Sequence, residues 1–147
     1  MKIAIVYHSE HHGNTKKLID EIANQGDVVL IEASGGEVVN LSEYDLIGFA
    51  SGNYYSKLHD SILKYAEKNL PLNKKVFLIY TYGVKIPKID ALERIFDEKE
   101  AQMLGVFGCT GFDTFGPFKL VGGLAKGHPN DDDVAEAVKF FKDVSKK

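Results

Sequence analysis

Tryptophan is absent, and cysteine and arginine occur once each, as Cys109 and Arg94, in a chain of 147 residues. A single thiol excludes a disulfide framework and a thiolate metal cluster. A lone arginine excludes a site built on several guanidinium–phosphate pairs. The formal net charge of −3 is too mild for a nucleic-acid binder. No apolar run approaches the roughly 20 residues of a membrane span. After Lys2 come five apolar residues, too few for a signal peptide, so a cytoplasmic protein is expected. Internal repeats, low-complexity tracts and interdomain linkers are missing too. What is there is ordinary for a soluble globular chain: 44% hydrophobic and 27% charged residues. This length suits one domain, residues 1–147, able to bury a core without staples.

Hydrophobic patterning places the elements. Ile3-Ala4-Ile5-Val6-Tyr7 is continuously apolar, as in a strand buried on both faces of a parallel sheet. A helix follows from about Thr15, with Leu18, Ile19, Ile22 and Ala23 on one face and Gly26 ending it. Val28 to Ala33, Asp45 to Ala50, Lys75 to Tyr82 and Leu104 to Cys109 read as further strands, and residues 37–44 carry no clear helix. Leu58, Ile62, Leu63, Ala66 and Leu70 form a second helical stripe, stopped by Pro71. Pro87 opens a third, with Ile89, Leu92, Ile95 and Phe96 facing inward. The last helix starts after Asn130, with Asp131, Asp132 and Asp133 at its positive end and Lys142, Lys146 and Lys147 at its negative end. Val134, Val138, Phe141 and Val144 give its inward stripe. Strands alternating with helices predict an open parallel sheet covered on both sides.

The stretch His8-Ser9-Glu10-His11-His12-Gly13-Asn14-Thr15 joins the first strand to the first helix. A polar, glycine-containing turn at a helix's positive end collects backbone N–H groups around one point and suits a phosphate. Ser9 and Thr15 add hydroxyls, Asn14 an amide, and Gly13 a close backbone approach. The turn lacks the Gly-Lys-Ser/Thr ending of a P-loop and the three glycines of a dinucleotide fingerprint. An ordinary strand–helix connection with a hydroxyl cap is the plain alternative.

In an open parallel sheet, ligands bind beyond the carboxyl ends of the strands, where the strand order switches. After the third strand comes Ser51-Gly52-Asn53-Tyr54-Tyr55-Ser56-Lys57, and after the fourth Thr81-Tyr82-Gly83-Val84-Lys85. Two loops with glycine, hydroxyls and tyrosine, beside a phosphate turn, fit a flat ring stacked on tyrosine faces. A phosphate at one end and a planar heteroaromatic at the other describes flavin mononucleotide (FMN). Each residue has a plainer role open to it: one of Tyr54 and Tyr55 can pack on the second helix, Tyr82 can end a core strand, and Gly52 and Gly83 are common turn residues.

On these residues the chain resembles the flavodoxin family over nearly its whole length. Ser9, Gly13, Asn14 and Thr15 are similar to that family's Ser-x-Thr-Gly-Asn-Thr turn, with one more residue before the glycine and His12 in place of threonine. That spacing is closer to the flavodoxin-like protoporphyrinogen oxidases. Residues 51–57 and 81–85 fall where the family's two flavin-flanking loops lie. The resemblance implies a flavodoxin-like three-layer α/β sandwich with a five-stranded parallel sheet in the order 2-1-3-4-5, with helices on both faces. The helix between the second and third strands would be missing or vestigial. It also implies FMN carrying single electrons between redox partner proteins. The site would comprise Ser9, Glu10, His11, His12, Gly13, Asn14 and Thr15, with Ser51, Gly52, Asn53, Tyr54 and Tyr55, and Thr81, Tyr82, Gly83, Val84 and Lys85. At Gly52-Asn53 the resemblance places a peptide that turns over as the flavin takes up its first electron.

Several residues stand outside that pattern. His8, His11 and His12 either add positive charge to the phosphate site below about pH 6.5 or are solvated turn residues. Adjacent turn positions rarely converge on one ion, so no metal is expected among them. Phe112 to Asn130 is long for a loop; its Phe112, Phe115, Phe118 and Leu120 can wall the pocket or leave an apolar surface. His128 suits a structural hydrogen bond ahead of Pro129, and Cys109 an inert buried thiol. Gly105 and Gly108 mark close packing in the fifth strand. An FMN-dependent oxidoreductase acting on a quinone or porphyrinogen is the alternative function. A signalling receiver is excluded, because His8-Ser9, Ser51 and Thr110 stand where its acidic residues and lysine would be.

Overall fold

The computed structural model describes residues 1–10, 13–36, 39–111 and 127–147. Five strands, β1 (Ile3–His8), β2 (Val28–Glu32), β3 (Leu46–Ser51), β4 (Lys75–Tyr82) and β5 (Gln102–Thr110), alternate with four helices, α1 (Asn14–Ala23), α2 (Asp60–Asn69), α3 (Asp90–Glu98) and α4 (Asp131–Val144). All strand pairs are parallel, in the order β2-β1-β3-β4-β5. Among the described residues between β2 and β3, a single 3-10 turn, Leu41–Glu43, stands where a helix would be.

Alternation along each strand splits the core into two layers. Ala4, Val6, Ile47, Phe49, Val76 and Leu78 face α2 and α3, meeting Ile62, Ala66, Leu92 and Phe96. Ile3, Ile5, Phe77 and Ile79 face α1 and α4, meeting Leu18, Ile22, Ala137 and Phe141. Each such Val, Leu, Ile or Phe side chain contributes about 1.5–3 kcal/mol when fully buried. That both faces of β1 and β3 are covered explains their unbroken apolar runs.

Two helices start differently from the sequence expectation or pack more broadly. Helix α3 begins at Asp90 rather than Pro87, because residues 86–89 run beside the loop after β3: Lys88 N–H donates to Ser56 O at 2.9 Å, and Lys57 bridges to Lys88. Pro87 is buried in that connection. The inward face of α4 also includes Ala137 and Phe140. Its start is a capping box, with Asn130 and Asp133 bonding each other's backbone N–H. His128 Nδ1 lies 2.6 Å from Asp133 Oδ2, the structural hydrogen bond expected of it. Strand β5 is longer than expected, from Gln102 to Thr110.

Of the strand glycines that abut aromatic rings, Gly48 and Gly108 come nearest, and they differ in how much room the ring has. A Cβ at Gly48 would lie 2.2 Å from the ring of Phe77, which is fully buried. A Cβ at Gly108 would lie 2.1 Å from the ring of Tyr80, which is only partly buried. Phe77 has nowhere to go, whereas Tyr80 can swing outward. Gly48→Ala is therefore expected to destabilise the fold by about 1–3 kcal/mol or more, and Gly108→Ala by clearly less. Urea unfolding midpoints compare the two, and equal losses would contradict this packing.

Candidate functional site

At the carboxyl ends of β1, β3 and β4 three connections come together. Helix α1 starts on Gly13, whose φ of +70° places it in the left-handed region and which offers no side-chain cap. Gly13 N–H donates to Glu10 O at 3.1 Å, closing the turn. Ser9 Oγ accepts from Lys16 N–H at 3.1 Å and so keeps its own hydroxyl hydrogen for another acceptor. Asn14 and Thr15 are buried. A Cβ at Gly111 would lie 2.5 Å from the Asn14 amide, so that glycine gives Asn14 its place.

Three contacts knit these connections together. Thr15 Oγ1 lies 3.0 Å from Thr81 Oγ1, joining the first turn to the end of β4. Glu10 N–H donates to Tyr54 Oη at 3.1 Å, joining it to the loop after β3. Asn53 Nδ2 donates to Lys85 O at 2.8 Å, joining that loop to the one after β4. Asn53 Oδ1 is buried with no hydrogen-bond partner. An orphaned buried acceptor beside two loops is a place for a ligand N–H.

The loop after β3 is a tight hairpin. Tyr54 and Lys57 exchange both backbone hydrogen bonds, at 2.7 and 3.1 Å. Tyr55 (φ 53°) and Ser56 (φ 66°) both take the left-handed conformation, as in a type I′ turn, at roughly 1–2 kcal/mol per non-glycine residue. The turn holds Tyr55 out, 84% exposed. Val84 and Lys85 are exposed on the neighbouring loop, with Tyr82 and Gly83 partly buried. Ser51 faces inward and works structurally: its hydroxyl donates to Gly52 O at 2.8 Å and accepts from His59 N–H at 3.0 Å.

The two tyrosines thus divide their work. Tyr54 packs edge-on against His59, with centroids 4.7 Å apart, and its hydroxyl braces Glu10. Burial, with the charges of Glu10 and Glu32, outweighs the hydrogen bond from Glu10 N–H and pushes its phenol up to about 12. Burial likewise pushes the Cys109 thiol up to about 12, as for the inert thiol expected.

His59 carries no signal that singled it out in the sequence. It caps α2, its Nδ1 accepting from Ser61 N–H at 3.1 Å. It also stacks on buried His8, with centroids 3.7 Å apart and planes 17° from parallel. His8 Nδ1 lies 3.3 Å from both Glu32 Oε1 and Ser34 Oγ. Burial raises the Glu32 carboxyl, but Ser34 and His8 outweigh it and leave the group below its usual range. Of the expected residues, Ser9, Glu10, Gly13, Asn14, Thr15, residues 51–55 and residues 81–85 belong to this one edge. His11, His12 and residues 112–126 lie outside the described residues.

A family model described as the flavodoxin domain matches residues 4–111. An uncharacterized protein of Methanocaldococcus jannaschii is 40% identical, across 99% of each chain. A flavodoxin from the domain Archaea is 21% identical and superposes with a TM-score of 0.74, covering 99% of this chain and 97% of its own. Flavodoxin 1 of Bacillus cereus, solved oxidised, gives 19% and 0.71, covering 99% and 98%. A Fusobacterium nucleatum flavodoxin solved with bound flavin mononucleotide gives 16% and 0.68, covering 99% and 97%.

The His8–His59 stack sets an acid sensitivity. Burial first, and then the charge of His8, lower the His59 pKa from 6.5. Above about pH 6.5 both folded and unfolded states hold the ring neutral. Below it the unfolded chain takes the proton first, so stability is lost as pH falls. His59→Asn keeps a capping acceptor and removes this titration. Between pH 7 and 5.5 the variant's melting temperature is expected to fall less steeply than the wild type's; parallel slopes would contradict the assignment.

Proposed function

Because the chain belongs to the flavodoxin domain family, we propose that it binds FMN at the edge formed by β1, β3 and β4 and carries single electrons between redox partner proteins. The observation that supports this most is the linkage of all three connections by the Thr15–Thr81, Glu10–Tyr54 and Asn53–Lys85 hydrogen bonds. That linkage joins a helix start rich in neutral donors to two glycine- and tyrosine-bearing loops. Among the relatives, the Fusobacterium nucleatum flavodoxin holds flavin mononucleotide in a fold of the same topology.

The residues fit the cofactor. Ser9, Gly13, Asn14 and Thr15 supply hydroxyl, amide and backbone donors at the positive end of α1 for the phosphate, with Glu10, His11 and His12 completing the turn. No arginine is needed, since neutral donors and the helix dipole hold the dianion. Gly52, Asn53, Tyr54 and Tyr55 flank the ring on one side, and Thr81, Tyr82, Gly83, Val84 and Lys85 on the other. The orphaned Asn53 Oδ1 would accept a ring N–H of the bound flavin. Once bound, the flavin ring supplies the electron chemistry, in steps of one or two electrons.

The chain's own work is to hold and tune that ring. Tyr55 is held 84% exposed by a strained turn, beside the proposed ring site. Thr15 and Thr81 fix how deep the phosphate end lies. Gly52 leaves the peptide before Asn53 free to turn, and a Cβ there meets nothing nearer than 3.4 Å, so alanine fits without a clash. The carrier reading makes the loop after β3 the part that separates the first electron step from the second.

Purified protein offered FMN is expected to bind one equivalent and turn yellow. Tyr55→Gly relieves the left-handed strain, so it should not lower folding stability. Loss of one stacked face, worth about 0.5–1.5 kcal/mol, weakens FMN affinity roughly 2–10-fold. Gly52→Ala is expected to leave binding nearly unchanged and to narrow the gap between the two one-electron potentials in a redox titration. An unchanged gap would remove the loop from the tuning role, and a chain that takes up no FMN would defeat the reading altogether.

A further inference from the structure

The loops after β3 and β4 carry exposed side chains that the proposed flavin site does not absorb. We propose that Val84 and Ile86, bordered by Tyr55 and rimmed by Lys57, Lys85 and Lys88, form a docking surface for a redox protein whose own contact face is acidic. The inference rests on the carrier reading above and adds to it the charge class of the partner.

Three observations carry it. First, the large hydrophobic side chains exposed among the described residues are unevenly spread. Tyr55 is 84% exposed, Val84 61% and Ile86 59%, all on these two loops. Met1, Val29, Leu72 and Val106 belong to four other segments. Second, the two loops are joined into one surface. Asn53 Nδ2 donates to the carbonyl of Lys85, between Val84 and Ile86, and Lys88 N–H donates to Ser56 O, next to Tyr55. Lys57 and Lys88 pair as a parallel bridge. Pro87 is buried, which anchors the chain while Ile86 and Lys88 on either side of it stay exposed. Apolar side chains exposed together and rimmed by polar groups mark a contact surface, whereas single ones do not. Third, the rim has one sign. Residues 51–59 and 81–89 hold three lysines and no carboxylate, in a chain whose net charge is −3. Lys57, Lys85 and Lys88 are all exposed. The next acids along the chain, Asp60 and Asp90, open α2 and α3, whose positive ends offset their charge. Asp60 also lies 3.5 Å from Lys57.

Charge decides among the occupants. A second copy of the chain fits poorly, because an isologous contact sets the three lysines against their own equivalents. An anionic membrane gains only about 1 kcal/mol per lysine, and the net charge of −3 opposes it. An acidic protein face with an apolar centre matches both parts of the patch. Its carboxylates meet the lysine rim, and its centre covers Val84 and Ile86. Such a rim speeds encounter more than it tightens the complex, which suits a carrier that must also leave its partner.

The test uses the full chain, flavin-free and with one equivalent of FMN added. An acidic iron–sulfur ferredoxin is the probe, and a basic cytochrome c its counterpart. Amide signals in NMR titrations locate the contact and give its Kd. In about 10 mM salt the ferredoxin is expected to bind and to move amides within residues 53–57 and 83–89. Its affinity should fall about tenfold by about 100 mM salt, as the screening length shortens from about 30 to about 10 Å. Cytochrome c should bind about tenfold more weakly than the ferredoxin. Lys88→Glu keeps the backbone bond to Ser56 and should weaken ferredoxin binding about 5–20-fold; Ile86→Ser should weaken it about 3–10-fold. FMN uptake should be unchanged in both. Lys139→Glu, an equal change of charge on α4 in the opposite helix layer, should cost less than about twofold. No ferredoxin binding, tighter binding of cytochrome c or of phosphatidylserine vesicles, shifts confined to other surfaces, or equal losses in Lys139→Glu and Lys88→Glu would overturn the proposal. FMN uptake without ferredoxin binding defeats this surface alone. Ferredoxin binding here without FMN uptake defeats the flavin reading and supports the surface.

Discussion

A single buried hydrogen bond, Thr15 Oγ1 to Thr81 Oγ1 at 3.0 Å, sets the depth of the whole site. It crosses from the first turn of α1 to the end of β4, over the end of β3, and both residues are buried. Leaving either hydroxyl without its partner costs about 1–3 kcal/mol, so the pair holds α1 to the sheet at one height. The turn before α1 is then pinned against the loops after β3 and β4, whose own contacts run through Tyr54 and Asn53. Without this tie, only the Tyr54 and Asn53 contacts would join the three connections.

Packing behind the site makes that arrangement rigid. The sheet is filled on both faces, and the tip of the buried Phe77 ring occupies the place a Cβ at Gly48 would need. Strain is placed where it can be used. Tyr55 and Ser56 are left-handed at the tip of a hairpin closed by two backbone hydrogen bonds. The stability of the sheet offsets that cost, and the exposed tyrosine stays presented. Charge is handled similarly: the buried His8 is flanked by Glu32, Glu10 and the neutral-leaning His59, so the strand end carries polar chemistry just behind the turn.

Much of the fold was legible because its signals are local. Doubly buried strands give unbroken apolar runs, and the stripes of α1, α2 and α4 repeat at helical spacing. Strand order was not legible from periodicity; it came from the resemblance carried by Ser9, Gly13, Asn14 and Thr15. The start of α3 was misread because Pro87 favours a first helical turn, while Lys88 is drawn instead into backbone pairing with Ser56. His59 was missed for a deeper reason. Its chemistry depends on stacking against a residue 51 positions earlier, set by the register of His8 with Ser51, and no spacing rule encodes that. Ser51 was expected to face the ligand, but its hydroxyl is spent inside the loop.

FMN bound at the proposed site would be enclosed by residues 9–15, 51–57 and 81–85. Amide chemical shifts of the flavin-free chain, followed by NMR as FMN is added to one equivalent, test it most directly. Shifts are expected to concentrate in those three segments, with the amides of Gly13, Asn14 and Thr15 moving furthest toward lower field. Shifts confined to other surfaces, or a spectrum indifferent to FMN, would contradict it.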